Sequence, residues 1–408
     1  MKTGKTWLIL LLAITLSGDT MLTVALIWTA MANSQSFLPL GMTLALMSAV
    51  PYTLQRVFPR MKEWIARRNM QAFATARFAG LLVAASGLLL PSPLPMWGLY
   101  AVAGAFTMTA FVAQQALEST MAGLSLRKVL SAKESARISQ AGIQLGAFVG
   151  GALGGLLYER AGIKWTFVAL IGTLAVGALI PALLPGSAEQ LTSTHPSKEA
   201  GGSSTDATDD APAADSSRSL VLWLALVGIA VLTLHLGAYN YLVPIIMQKQ
   251  KLWAVSDYGV VSAAAGFGAL LATSIVIERR GELWNVALSV VALALADYGL
   301  WATGSVLLGA ALAFLIGYAF NTLRIWQRKI IFENVTTDEE GAEWAGRTTV
   351  VFQLLKAAVP LFLALAIDRM GTEQAGPMFV FAGCAIAMSL VLLITRQVRL
   401  VSLVTTTK

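Results

Sequence analysis

Apolar residues gather into long stretches separated by short polar segments, and the alternation repeats along the whole chain. A hydrocarbon core about 30 Å thick is crossed by roughly 20 apolar residues in a helix, so each stretch predicts one membrane span. The predicted spans are 7–32, 37–55, 69–90, 97–118, 138–158, 165–185, 220–246, 256–277, 283–301, 304–323, 348–367 and 377–395. A polar insert at 187–219, rich in Ser, Thr, Ala, Gly, Asp and Pro and without apolar period, divides them six and six. Such a composition cannot bury a core and predicts a flexible tether. The expected architecture is an all-α polytopic membrane protein of twelve transmembrane helices. Two pseudo-symmetric six-helix bundles, 1–186 and 220–408, are joined by a disordered cytoplasmic linker at 187–219.

Composition removes the soluble alternative. With 56% hydrophobic and 12% charged residues and a mean hydropathy of +0.69, a water-soluble fold would leave too much apolar surface uncovered. The first span is too long, and followed by too many others, for a cleaved signal peptide.

Orientation follows from Lys and Arg, which are retained in cytoplasmic loops. An inside N-terminus places Lys2, Lys5, Arg56, Arg60, Lys62, Arg67, Arg68, Arg127, Lys128, Lys133 and Arg137 on the inner side of the first half. Arg279, Arg280, Arg324, Arg328, Lys329, Arg347, Arg396 and Arg399 follow on the inner side of the second. Outer segments hold only Arg160, Lys164, Lys249, Lys251 and Arg369, while Arg77 and Lys356 lie within spans. The expectation is a multi-pass protein of the inner (cytoplasmic) membrane with both termini cytoplasmic. The net charge of +7 then belongs to topology and is no nucleic-acid footprint.

Chemistry is sparse. Of two histidines, His195 lies in the linker, and no H-E-x-x-H or Ser/His/Asp constellation is present, so neither an enzyme nor a metal site is expected. Cys384 is the single cysteine, which excludes a disulfide within the chain. Gly4-Lys5-Thr6 lacks the upstream glycine and strand of a phosphate-binding loop, so no nucleotide or other cofactor is expected.

The halves echo each other. Trp7 and Asp19 have the same separation as Trp223 and His235; Arg127-Lys128-Val129-Leu130 parallels Arg328-Lys329-Ile330-Ile331. Gln144-Leu145 and Glu159-Arg160-Ala161-Gly162 parallel Gln353-Leu354 and Asp368-Arg369-Met370-Gly371, both at an offset of 209. Several matches in one order point to a duplicated six-helix unit. Transporters built from such repeats bind substrate near the midplane between the halves and rock one half against the other.

In the fifth span Gly142, Gly146, Gly150 and Gly154 recur every four residues, with Gly151 and Gly155 beside them. This spacing lets helix backbones approach closely. Residues 146–155 resemble the antiporter signature of the major facilitator superfamily, G-x-x-x-G-P-x-x-G-G, with Gly151 at the proline position. Gly162-Ile163-Lys164-Trp165-Thr166-Phe167 is similar to the run opening the family's sixth span, and Ile277-Glu278-Arg279-Arg280-Gly281 resembles its short-loop motif. Gly346-Arg347 with Pro360-Leu361 resembles the proton-coupled macrolide and siderophore exporter branch. Two patterns depart from the family: the loop 55–68 lacks Gly-x-x-x-Asp-Arg, and the span-four arginine motif is absent.

The resemblance implies the major facilitator fold and a cavity lined by spans one, four, seven and ten. Ionisable residues inside a membrane mark pathways, which singles out Asp19 in span one and His235 in span seven as proton-coupling candidates, with Glu118 at the inner end of span four. Asp19, Gln114, Gln115, His235, Asn240, Tyr318, Asn321, Arg324 and Lys356 are the candidate substrate-binding residues. Asp297 reads as a helix-end or gating residue. Lys356 is expected to meet a carboxylate or an anionic ligand, and the mixed cavity suits an anionic or zwitterionic substrate. The function expected is proton-coupled export of a small organic molecule by a monomer, a siderophore or related metabolite first and a macrolide-like drug next. Proton-coupled uptake of an organic anion and a non-transporting membrane sensor are the alternatives.

Overall fold

The computed structural model describes residues 2–32, 36–91, 95–126, 132–183, 212–274, 279–335 and 338–406. The linker expectation at 187–211, with His195, lies outside the described residues, as do Arg127-Lys128-Val129-Leu130 and Ile277-Glu278.

The described chain is helical almost throughout. In the first half α1 (Lys2–Ala32) is followed by α2 (Leu38–Val57), α3 (Pro59–Arg67), α4 (Asn69–Leu89), α5 (Met96–Leu126) and α6 (Ala132–Leu183). In the second half α7 (Pro212–Ile245) passes into a π-turn at Ile246–Gln250. Then come α8 (Val255–Ser274), α9 (Arg279–Ala302), α10 (Val306–Asn334), α11 (Asp338–Met370) and α12 (Ala375–Thr406).

Among the described residues, nine helices are long and apolar enough to cross a membrane, and Leu16–Ala32 and Leu38–Thr53 are shorter apolar helices. That makes eleven where the hydropathy pattern predicts twelve. The difference lies in α6, which runs as one helix from Gln144 to Leu179 through Glu159-Arg160 and Lys164, the segment that separates two spans in the sequence. It turns at Gly162, where φ is 73° and ψ −177°, a conformation that glycine adopts without steric cost. A second difference is at α7, which starts at Pro212, inside the predicted tether; proline is tolerated in a first helical turn, where its missing N–H has no partner to lose. A third is α3, a short helix where the sequence reads as a basic loop: it buries Ile65 and leaves Arg60 and Arg67 exposed.

Within the first half α1 packs along α6, and α4 against α5 and α6. Within the second, α7 packs on α10, α11 and α12, while α8 and α9 pack on α10. Two seams join the halves, α6 on α8 and α2 on α11.

The glycine ladder explains how α6 serves two of these contacts at once. Gly146, Gly150 and Gly154 face α1, where a methyl at Gly146 would sit 2.6 Å from the Leu16 Cβ and one at Gly154 2.8 Å from the Met21 carbonyl oxygen. Gly151 and Gly155 face α8 in the other half. A methyl at Gly155 would lie 2.6 Å from the Val255 carbonyl oxygen and 2.9 Å from the Gly259 Cα. One face holds the helix in its own bundle and the next forms the seam.

The end of the bundle away from the basic loops is fastened by carboxylates. At the turn within α6, Glu159 Oε2 accepts a hydrogen bond from the Ser256 N–H at 2.9 Å, at the start of α8. At the end of α11, Asp368 Oδ1 accepts from the Phe37 N–H at 2.7 Å and Oδ2 from the Ser36 hydroxyl at 2.6 Å, just before α2. The Tyr241 hydroxyl also donates to the Phe37 carbonyl at 3.3 Å. Each carboxylate therefore meets the unsatisfied amides of a helix start in the opposite half, where the helix dipole favours negative charge.

Candidate functional site

Between the halves lies a cavity of about 530 Å³ walled by α1, α2, α5, α6, α7, α8, α10 and α11, within the size range of sites for small organic molecules. Its charged and polar groups come from residues spread across the chain. Asp19, Gln114, His235, Asn240, Asn321, Arg324 and Lys356 line it, as the sequence predicts. Gln144 and Gln353, the repeat-related glutamines, line it as well.

Two predicted residues fall elsewhere. Gln115 is one helical step of about 100° round from Gln114 and is not part of the wall. Tyr318 turns its hydroxyl toward Asn285 Oδ1 on α9, at 3.3 Å. The backbone of Glu118 belongs to α5, but its side chain lies outside the described residues.

Asp19 is one half of an ion pair. Arg77 on α4 reaches across with Nη1 2.9 Å from Oδ1 and Nη2 3.4 Å from Oδ2, a fork matched to the carboxylate. Arg77 is 1% exposed and stands over the Phe73 ring at 5.5 Å, whereas Asp19 keeps 20% of its side chain open toward the cavity. Gly18 lets α1 lie close against α6, where a methyl would press on the Thr173 hydroxyl, and Gly80 lets α4 lie close against α5, where a methyl would meet the Thr109 hydroxyl at 3.1 Å.

A second pair occupies the other half. His235 Nε2 is 2.8 Å from Asp297 Oδ2, with both side chains at most 2% exposed. The imidazole lies among Tyr239, Phe320 and Phe379, at centroid distances of 6.5, 6.1 and 6.4 Å. Gly383 on α12 makes room for the carboxylate, since any side chain there would run into Asp297 Oδ2. Asp297 Oδ1 is buried without a hydrogen-bond partner among the described residues. His235 faces the cavity and Asp297 stands behind it. Asp297, read from the sequence as a helix-end or gating residue, is thus the buried partner of His235.

The two pairs correspond through the sequence repeat with their order of charge reversed. The acid is on α1 and the base on α4 in the first half; the base is on α7 and the acid on α9 in the second. Sequence inspection finds Asp19 and His235 from their depth in apolar spans and misses the assignment of both partners.

At the basic end, Arg218 pairs with Glu340 at 3.0 Å, and the Arg347 guanidinium lies over Trp223 at 5.2 Å and Trp344 at 4.7 Å. The motif residue Arg347 thereby ties α11 to α7.

No protein-family model matches the chain, and no curated protein matches its sequence. Solved structures match it along nearly its whole length. A bacterial homologue of the human lysosomal transporter Spinster, inward-facing and occupied, matches with a TM-score of 0.62 at 14% identity, over 100% of this chain and 97% of its own. The nucleoside transporter NupG matches with a TM-score of 0.67 at 12% identity, over 96% and 98%. A bacterial homologue of the iron transporter ferroportin, outward-facing, matches with a TM-score of 0.57 at 16% identity, over 98% and 99%. The likeness is one of fold: the chain folds as these transporters do. The proteins that share this fold are transporters and not enzymes. The chain is accordingly a multi-pass membrane protein with a transporter fold.

Proposed function

We propose that this protein is a secondary active transporter that exports a small organic molecule in exchange for protons, working as a monomer in the inner membrane with both termini cytoplasmic. The observation that carries the reading is the Asp19–Arg77 pair on the wall of the cavity between the halves. A proton arriving from the cavity neutralises Asp19, releases its hold on Arg77 and loosens the link between α1 and α4. His235, backed by Asp297, and Glu118 are the further coupling groups.

The reading takes residues 1–186 and 220–408 as the rocking bundles and 187–219 as their tether. It counts two crossings in α6, one on each side of Gly162, which makes twelve. A siderophore or related metabolite is the first substrate class to test and a macrolide-like drug the next, on the strength of Gly346-Arg347 and Pro360-Leu361. One proton moving down about 150 mV releases roughly 3.5 kcal/mol, enough for a substrate gradient of a few hundredfold.

The test is proton flux in liposomes under an imposed pH gradient, wild type against Asp19→Asn, with candidate siderophores and macrolides added. Coupled exchange predicts a compound that moves protons through wild type and not through the variant. Equal proton flux in both, with a compound independently seen to cross, makes Asp19 structural. Compound movement along its own gradient without any proton flux removes coupling altogether, and compound moving with protons in the same direction establishes uptake instead.

A further inference from the structure

Lys356 lies deep in α11 and lines the central cavity. Asp19 is matched by Arg77 and His235 by Asp297. Lys356 is not matched: among the described residues no carboxylate lies within ion-pair distance of its ammonium. The charge that bears on it is a like one, that of Arg324 on α10. Both cations line the same cavity and lie against the same aromatic ring. The Arg324 guanidinium is 5.2 Å and the Lys356 ammonium 5.9 Å from the Phe352 ring centroid.

An ammonium inside a membrane protein is costly unless it finds a counter-charge, and a second cation beside it adds to the cost. The ring gives only part of the compensation. An anion entering the cavity supplies the rest, because it meets a guanidinium fork and an ammonium point charge together, the two donor types that hold carboxylates and phosphates. Gln353, one helical turn before Lys356 on the same face, adds an amide to this wall. Apolar lining from Phe106, Phe111 and Phe320 remains for the body of the ligand.

We propose that Lys356 and Arg324 form an oxyanion subsite, and that the molecule carried is an organic anion whose carboxylate or phosphate docks there while its apolar part faces the aromatic wall. The word carried rests on the transport reading above; the binding of the anion does not.

Pyridoxal phosphate tests the subsite without knowledge of the natural ligand, because it joins an oxyanion to an aldehyde that condenses with a lysine amine. Purified protein is treated with pyridoxal phosphate or with uncharged pyridoxal and reduced with borohydride. Labelling at Lys356 is then read by peptide mass spectrometry against the exposed Lys249. An oxyanion subsite predicts at least tenfold preference for pyridoxal phosphate at Lys356 after this normalisation. Excess inorganic phosphate suppresses the preference, Arg324→Gln abolishes it and Arg324→Lys retains it. Equal labelling by the two reagents, no labelling of Lys356 by either, or a preference indifferent to Arg324→Gln in protein that still elutes as a single species overturns the proposal. Preferential labelling in a protein that moves no compound in liposomes leaves the subsite standing and removes transport.

Discussion

Asp19 and Arg77 show why a charged residue deep in a membrane helix is read better as a pair than alone. Breaking a buried pair by removing one member strands the other, at a cost of about 3–5 kcal/mol. Asp19→Asn is therefore expected to lower the melting temperature of the detergent-purified protein clearly. The double variant Asp19→Asn with Arg77→Gln recovers most of that loss, since no bare guanidinium remains, and stays inactive in proton exchange. A double variant no more stable than the single one means that Asp19 holds the fold by contacts other than Arg77. The sequence marks Asp19 by depth and leaves its partner unmarked: Arg77 is 58 residues away, and hydropathy carries no information on which way a side chain points round its helix. The same blindness puts Gln115 and Tyr318 in the predicted site and hides the pairing of Asp297 with His235.

At the scale of elements, the helices follow from hydropathy because membrane thickness sets their length. Hydropathy places a break at 159–164, and the turn in α6 falls within it at Gly162; what hydropathy does not give is that the helix runs on through that break with a single residue at positive φ. The glycine ladder was half legible. Its four-residue spacing predicts one close contact, while the neighbouring Gly151 and Gly155 make a second, with the opposite half. The carboxylate contacts at Glu159 and Asp368 bear on how the halves move. A hydrogen bond of this kind is worth about 1 kcal/mol, so Glu159→Gln together with Asp368→Asn is expected to shift the ratio of open to closed far ends by tenfold or more. Spin-label distances across that end of the bundle read the change, with Arg160→Gln as a neighbouring control that leaves them unaltered. Distances the same as wild type in the double variant mean that the glycine seams alone keep this end shut.

For the molecule as a whole, the repeat seen at an offset of 209 is the most informative part of the sequence. It is found in the structure twice over: Gln144 and Gln353 both line the cavity, and Glu159 and Asp368 both reach across to a helix start in the other half. The identity of the cargo had no such signal, because a cavity assembled from eight helices takes its chemistry from residues that no local motif groups together.

Those two carboxylate contacts are one contact made in both directions: the acid of the first half grips the second, and its counterpart in the second grips the first. A patch that is complementary to its own copy is what holds two identical subunits about a twofold axis. The seam therefore has the form of a homodimer interface and does not depend on a peptide bond between its sides. Fragments 1–186 and 220–408 made as separate chains are expected to associate in the membrane, copurify, and regain the thermal stability of the intact protein to within a few degrees. Fragments that never copurify would instead make the covalent connection part of what brings the halves together.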